Sequence, residues 1–135
     1  MTNLSVEYIA AARSRLQADA AAFDPVLAPH GDAVALRPVL HALLETTQAA
    51  LKTDGDVSLV ADMLRRDQKF APPGRPSIHL VQLRKQQAGA KQAALIARQA
   101  HGRAAQDFVK ALALKITPRL TPIAVVDRWL QTRLG

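Results

Sequence analysis

The fold of this chain is decided by a stretch that runs from Ser77 to Ile116, SIHLVQLRKQQAGAKQAALIARQAHGRAAQDFVKALALKI. Ala, Gln, Leu, Lys and Arg, which are good helix formers, fill 28 of its 40 positions. The proline cluster of APPGRPS precedes it and Thr117-Pro118 follows it, so proline bounds the stretch on both sides. The pattern predicts one long helix over about 77–116, which could kink at Gly89 or Gly102.

The remainder of the chain also shows helical periodicity and no strand-like alternation. It predicts helices over about 4–22, 33–52 and 57–69, and a last helix that Thr121 caps and Pro122 begins. Loops are expected at 24–32 and at Thr53-Asp54-Gly55-Asp56, with Pro38 in a first turn. The expected fold is all-α with about five helices in a single domain of 1–135. Its parts are a three-helix segment (1–70), a Pro-rich linker (71–76) and a C-terminal segment (77–135).

The length of the predicted helix constrains the architecture. Forty residues extend about 60 Å at 1.5 Å per residue. A compact globule of this chain length is only about 37 Å across. The helix must therefore break at a glycine and fold back on its own domain, or project and pair with a second chain, and the sequence leaves both open.

A seam of small and apolar residues recurs along the helix at heptad-like spacing and would suit a homodimer. His101 lies on the seam, although a surface histidine is the simpler expectation there. The same spacing includes Gln87 and Ala111. The proposed dimer seam consists of Leu83, Ala90, Ala94, Ala97, His101, Ala104 and Phe108.

The charge of the chain is asymmetric. The formal net charge is +7, with four Lys/Arg against seven Asp/Glu in residues 1–60 and fourteen against four in 61–135. No acid occurs between Gln68 and Gln106. Uncompensated positive charge on one part of a molecule predicts a polyanionic partner. The candidate nucleic-acid-binding residues are Arg65, Arg66, Lys69, Arg75, Arg84, Lys85, Lys91, Arg98 and Arg103, of which Arg84, Lys91 and Arg98 recur every seven positions.

Two short motifs add weaker support for a nucleic-acid partner. Gly74-Arg75-Pro76 resembles part of an AT-hook core, although a bare interhelix linker is the favoured interpretation. The helices predicted on either side of the 53–56 turn could form a helix-turn-helix, but the spacing from Ala50 to Gly55 is one residue too long. With five aromatic residues in the chain, base stacking on an aromatic platform is not expected.

No motif indicates catalysis, a cofactor or a metal site. His41 and Glu45 are four residues apart, but no third ligand is visible and a partly buried structural histidine is the better interpretation. Cysteine is absent, and the N-terminal residues lack the pattern of a secretory signal, so a cytoplasmic protein is expected. No apolar run is long enough to span a bilayer.

Two functional hypotheses follow, and neither involves an enzyme. The first is a small accessory or regulatory protein that binds nucleic acid, DNA rather than RNA, through phosphate contacts. The second is a protein–protein module or inhibitor that docks its basic helix on an acidic protein surface.

Overall fold

The computed structural model describes residues 4–70, 78–116 and 118–134 of the chain. Within these ranges the chain forms five α-helices and one 3₁₀ turn and no strand, as the sequence predicts. The helices are α1 (Val6–Ala18), α2 (Asp24–Leu27), α3 (Ala33–Phe70), α4 (Ile78–Leu112) and α5 (Pro122–Arg133), and the 3₁₀ turn is Ala28–His30.

The molecule is built around two long helices, α3 and α4, that pack side by side in opposite directions. Residues further along α3 contact residues nearer the start of α4. Thr47 contacts His101, Asp54 contacts Arg98 and Asp67 contacts His79. The helices extend about 57 and 52 Å at 1.5 Å per residue. The long basic helix therefore finds its partner in α3 of its own chain.

Helix α3 corrects the prediction of two helices separated by a turn. It runs without a break through Thr53-Asp54-Gly55-Asp56, which excludes a helix-turn-helix there. Apolar and small residues continue the three- and four-residue spacing across this weak segment, so packing against α4 outweighs poor local helix propensity. The positions are Leu36, Leu40, Leu43, Thr47, Ala50, Val57, Ala61 and Leu64, and the exposed Asp54 stands between Ala50 and Val57 at the same spacing.

The predicted start at residue 33 is confirmed, but the place of Pro38 differs from the prediction. The helix begins at Ala33, so Pro38 lies inside it rather than in its first turn. Arg37 in this region donates hydrogen bonds from Nε and Nη2 to the two carboxylate oxygens of Asp24, which holds the pKa of Asp24 below its usual value. This pair joins the beginning of α3 to α2. Helix α2 lies within residues 24–32, which were predicted to form a loop.

Helix α4 is shorter than the predicted 77–116 and continues through both Gly89 and Gly102. It ends because Ala113 adopts a positive φ of 53°. The Leu114 N–H then donates to the Val109 carbonyl and the Ala113 N–H to the Lys110 carbonyl, the two bonds of a Schellman cap. Ala113 occupies the position where glycine is usually found.

The main core lies at one end of the α3–α4 pair, where α1, α2 and α5 pack across it. Phe108 and Trp129 meet edge to face at its centre, with ring centroids 4.8 Å apart. Ser5 caps α1, whose observed start is two residues later than predicted, and the Tyr8 hydroxyl donates to the Leu130 carbonyl. Thr121 caps α5 and Pro122 begins it, as the sequence predicts.

A second, smaller cluster lies at the other end of the pair. It consists of Leu64 from α3 and Leu80 and Leu83 from α4, with Val60 and Met63 against it. We call this end of the molecule the tip and the opposite end, with the main core, the base. The two clusters place most of the buried apolar surface at the base.

Candidate nucleic-acid interface

The sequence-predicted basic residues of α4 lie on two neighbouring sides of that helix. At 100° per residue, Arg84 and Lys91 share the flank beside the buried seam. Lys85 and Arg103 are eighteen positions apart, five whole turns, and point to the side facing away from α3. All four are exposed and make no ion pair with any described residue. We call Arg84, Lys85, Lys91 and Arg103 the cationic strip.

Arg98, predicted as a third phosphate contact on that flank, is engaged within the chain. Its Nη2 donates to Oδ1 of Asp54 on α3 across 3.0 Å. Both side chains remain about half exposed or more, so solvent screens the pair and limits its contribution to stability. The prediction of three equivalent cations on this flank therefore becomes two unpaired cations and one that is paired with an acid.

The basic residues at the end of α3 differ in whether they are paired with an acid. Arg65 pairs with Asp62 one turn earlier, whereas Arg66 and Lys69 are exposed and make no ion pair with a described residue. His79 Nε2 lies 2.6 Å from Oδ2 of Asp67 and ties the first turn of α4 to α3. Arg75 and the AT-hook-like Gly74-Arg75-Pro76 lie outside the described residues.

The predicted dimer seam is occupied within the chain. Ala90 is partly buried, and the other six positions, Leu83, Ala94, Ala97, His101, Ala104 and Phe108, are buried in the isolated chain. This surface is therefore not free for a second copy, which corrects its assignment as a dimer interface. The spacing was read correctly, but α3 supplies the facing helix.

His101 is buried rather than at the surface, and its hydrogen bond shows which ring nitrogen carries a proton. The Thr47 hydroxyl donates to the Leu43 carbonyl at 2.7 Å, and Thr47 Oγ1 lies 3.2 Å from His101 Nε2. Because the hydroxyl hydrogen is already used, His101 Nε2–H must be the donor. Burial lowers the pKa of His101 and so favours the neutral ring, while the nearby charge of Asp54 acts in the opposite direction.

A cavity of about 400 Å³ opens beside this hydrogen bond. It is partly open to solvent and is lined by Leu4 and by helices α3, α4 and α5. Its polar lining residues are Thr47, Asp54, Arg98, His101 and Asp127, and its apolar lining residues are Leu4, Ala50, Leu51 and Ile123. We call it the central cavity.

Asp127 is the unusual member of the central cavity. Its Oδ1 is inaccessible to solvent and has no hydrogen-bond partner among the described residues. Burial raises the pKa of this carboxyl to about 6. Nothing in the sequence distinguishes Asp127, because in one dimension it is an ordinary polar residue between Val126 and Leu130, two apolar positions of α5.

Asp54 was assigned to a turn, although a signal for its true position is present in the sequence. It falls at a position of the three- and four-residue spacing that links Ala50 to Val57, and this pattern appears only if α3 is taken as one helix.

A metal site is not indicated in the described ranges. No group of three or more His, Asp or Glu residues there is arranged to hold a metal ion. His41 is half-buried and Glu45 is exposed, which fits the structural interpretation of the histidine. No helix among these residues is both long enough and apolar enough to cross a bilayer.

Comparison of the chain with protein-family models, with curated proteins and with solved structures finds no match.

Proposed function

We propose that the protein binds double-stranded nucleic acid, DNA rather than RNA, through phosphate contacts made by the cationic strip of α4. The observation that carries the proposal is the absence of local neutralisation. Helix α4 holds six Lys and Arg residues and one acid, Asp107, and the four members of the strip have no ion-pair partner among the described residues. A surface that lacks compensating acids is typical of a protein with a polyanionic ligand.

The geometry of the strip suits a linear array of phosphates. Arg84 and Lys91 are about 10 Å apart along the axis, and Lys85 and Arg103 about 27 Å, at 1.5 Å per residue. A straight helix pressed along a duplex can therefore neutralise phosphates at several places without reading bases. Arg66 and Lys69 add exposed positive charge at the tip.

The aromatic residues support a duplex over a single strand. Phe23, Phe108 and Trp129 are buried, and Tyr8 is half-buried with its hydroxyl bonded to α5. Phe70 at the tip is the one exposed aromatic side chain of the five in the sequence. Single-strand binding normally uses several stacked aromatic rings, and this surface offers one.

The test is the salt dependence of duplex binding measured by fluorescence anisotropy. Each phosphate contact contributes about 0.9 to the slope of log K against log salt, so four contacts predict a slope of about −3 to −4. Between about 50 and 200 mM salt the affinity should then fall on the order of 100-fold. No complex at micromolar protein in about 50 mM salt would refute the proposal.

A pair of variants with equal charge loss locates the contact. The double variant Arg84→Gln/Lys91→Gln should weaken binding and reduce the salt slope by about 2, because two phosphate contacts are lost. The control Lys115→Gln/Arg119→Gln removes two exposed cations beyond the end of α4 and should have a much smaller effect. Equal losses from both pairs would show that only the net charge matters and that the strip is not the interface.

The second candidate is docking on an acidic protein surface, and exposed apolar residues on α4 favour it. Leu95 is 50% and Ile96 57% exposed, between Lys91 and Arg98 in sequence. A phosphate backbone offers these side chains no apolar contact, whereas a protein partner can. Purification discriminates: a raised 260/280 nm absorbance ratio that high salt removes supports nucleic acid, and pull-down of one acidic polypeptide supports the protein partner.

A further inference from the structure

The central cavity has the size and the lining of a small-molecule site. About 400 Å³ lies within the range in which proteins bind small ligands. One portion of its wall is apolar and comes from three parts of the chain, with Leu4, Leu51 and Ile123 among the side chains that form it. Charged and hydrogen-bonding groups cover the remainder, so a ligand there would meet both apolar surface and a few fixed polar atoms.

The charges that line the cavity do not balance. Asp54 and Asp127 each bring a carboxylate, and Arg98 brings one guanidinium that is already committed to Asp54 at 3.0 Å. His101 is buried and uses Nε2–H to donate to Thr47, so it adds no positive charge in its neutral form. With both acids ionised, the lining carries one negative charge that no described residue compensates.

The unbalanced charge belongs to Asp127. The Oδ1 atom of Asp127 is buried without a hydrogen-bond donor, and a buried carboxylate without a donor is costly. Asp127 is only partly buried and lines the cavity, so a ligand there that places a positively charged N–H donor beside this carboxylate would compensate its charge.

We propose that the central cavity binds a small organic monocation, a primary ammonium compound with a short apolar body. The ammonium group donates to Asp127, and the apolar body packs against Leu51 and Ile123. The site is independent of the cationic strip, so failure of either proposal leaves the other intact.

The experiment compares benzylamine, which is cationic at pH 7.5, with benzyl alcohol, its neutral isostere. Benzylamine should raise the melting temperature of the full chain in a concentration-dependent manner, because binding to the folded state stabilises it. It should also shift the backbone amide NMR signals of Thr47, His101 and Ile123. Benzyl alcohol should have at least tenfold weaker effects at the same concentration.

Two variants make the outcome decisive. Asp127→Asn should abolish the preference for the amine, whereas Asp56→Asn, which removes an exposed acid of α3 outside the cavity lining, should keep it. The proposal is overturned if neither compound binds at about 10 mM, the highest concentration that such a weak fragment would require. It is also overturned if both bind equally, if the shifted signals lie away from the cavity, or if Asp127→Asn retains the preference.

Discussion

Asp127 shows how burial changes the energetics of one side chain in this molecule. Its carboxyl lines the central cavity, Oδ1 has no donor, and desolvation raises the pKa from 3.8 to about 6. Because the folded-state pKa lies above that of the unfolded chain, folding favours the protonated form. The stability that this group contributes is present below about pH 4 and is lost as the pH rises through about 6.

Asp127→Asn should therefore stabilise the protein at neutral pH and not in acid. Asparagine keeps the shape of the side chain and carries no charge, so we expect a gain of about 1–2 kcal/mol above pH 7, allowing for solvent screening of a partly buried group. Urea unfolding at pH 4, 5, 6 and 7.5 measures the difference, with Asp56→Asn as the exposed control. A constant difference across this range would contradict the assignment of the shift to Asp127.

At the scale of the helices, glycine and alanine stand at positions that the observed backbone does not favour. Gly89 and Gly102 lie inside α4, where a Cβ atom would meet nothing within 4 Å. Ala113, by contrast, adopts φ 53° at the helix end, a conformation that suits glycine. The continuity of α4 thus follows from its packing on α3, since its two glycines weaken it locally.

Exchanging these residues should stabilise the protein in each case. Gly89→Ala and Gly102→Ala should each add about 0.5–1 kcal/mol to the free energy of unfolding, because alanine has the higher helix propensity. Ala113→Gly should add about 1 kcal/mol by relieving the left-handed conformation. Thermal unfolding followed by circular dichroism measures these changes.

Gly31→Ala is the control for these three substitutions and should change the stability in the opposite direction. Gly31 has a φ of 150°, which an L side chain rarely adopts, so alanine there should destabilise the protein. If Gly89→Ala or Gly102→Ala also destabilised it, the helix would have to bend at that glycine, as the sequence had suggested.

At the scale of the whole molecule, the apolar cores at the two ends are unequal. The base contains a buried cluster that joins α1, α3, α4 and α5, whereas the tip depends on Leu64, Leu80 and Leu83. Stability should therefore decrease along the α3–α4 pair from base to tip, because local opening is easiest where few apolar contacts must be broken.

Hydrogen exchange followed by mass spectrometry measures this gradient. Amides of residues 58–70 and 78–88 should exchange faster than those of 36–47 and 101–112. Leu83→Ala should accelerate exchange mainly at the tip, and Leu40→Ala, at the base, should accelerate it throughout the chain. Uniform exchange along both helices, or a global effect of Leu83→Ala, would show that the pair opens as one unit.

Several features of the fold follow from local patterns and were predicted. The all-α class, the cap and first proline of α5, and the buried spacing along α4 all depend on residues close in sequence. The break predicted at 53–56 was wrong because local propensity favours a turn at Asp54-Gly55-Asp56, whereas packing along the full length of α4 keeps the helix intact.

The candidate sites show the same difference between features that depend on neighbouring residues and features that depend on distant contacts. The acid-free run from Gln68 to Gln106 can be read directly, and with it the cationic residues of α4. Which of them remain unpaired cannot be read there, because Arg98 and Asp54 are forty-four positions apart and meet only across the helix pair. The central cavity was missed for the same reason, since α3, α4 and α5 all contribute to it.

The sequence by itself determined the helical class, the seam of α4 and the unequal distribution of charge, because each is a property of neighbouring residues or of a fixed helical period. The tertiary structure alone decided that α3 covers this seam, that Arg98 is paired, and that Asp127 lies buried without a donor. Those outcomes depend on contacts between distant segments, and a contact of that kind has no periodic signature in one dimension.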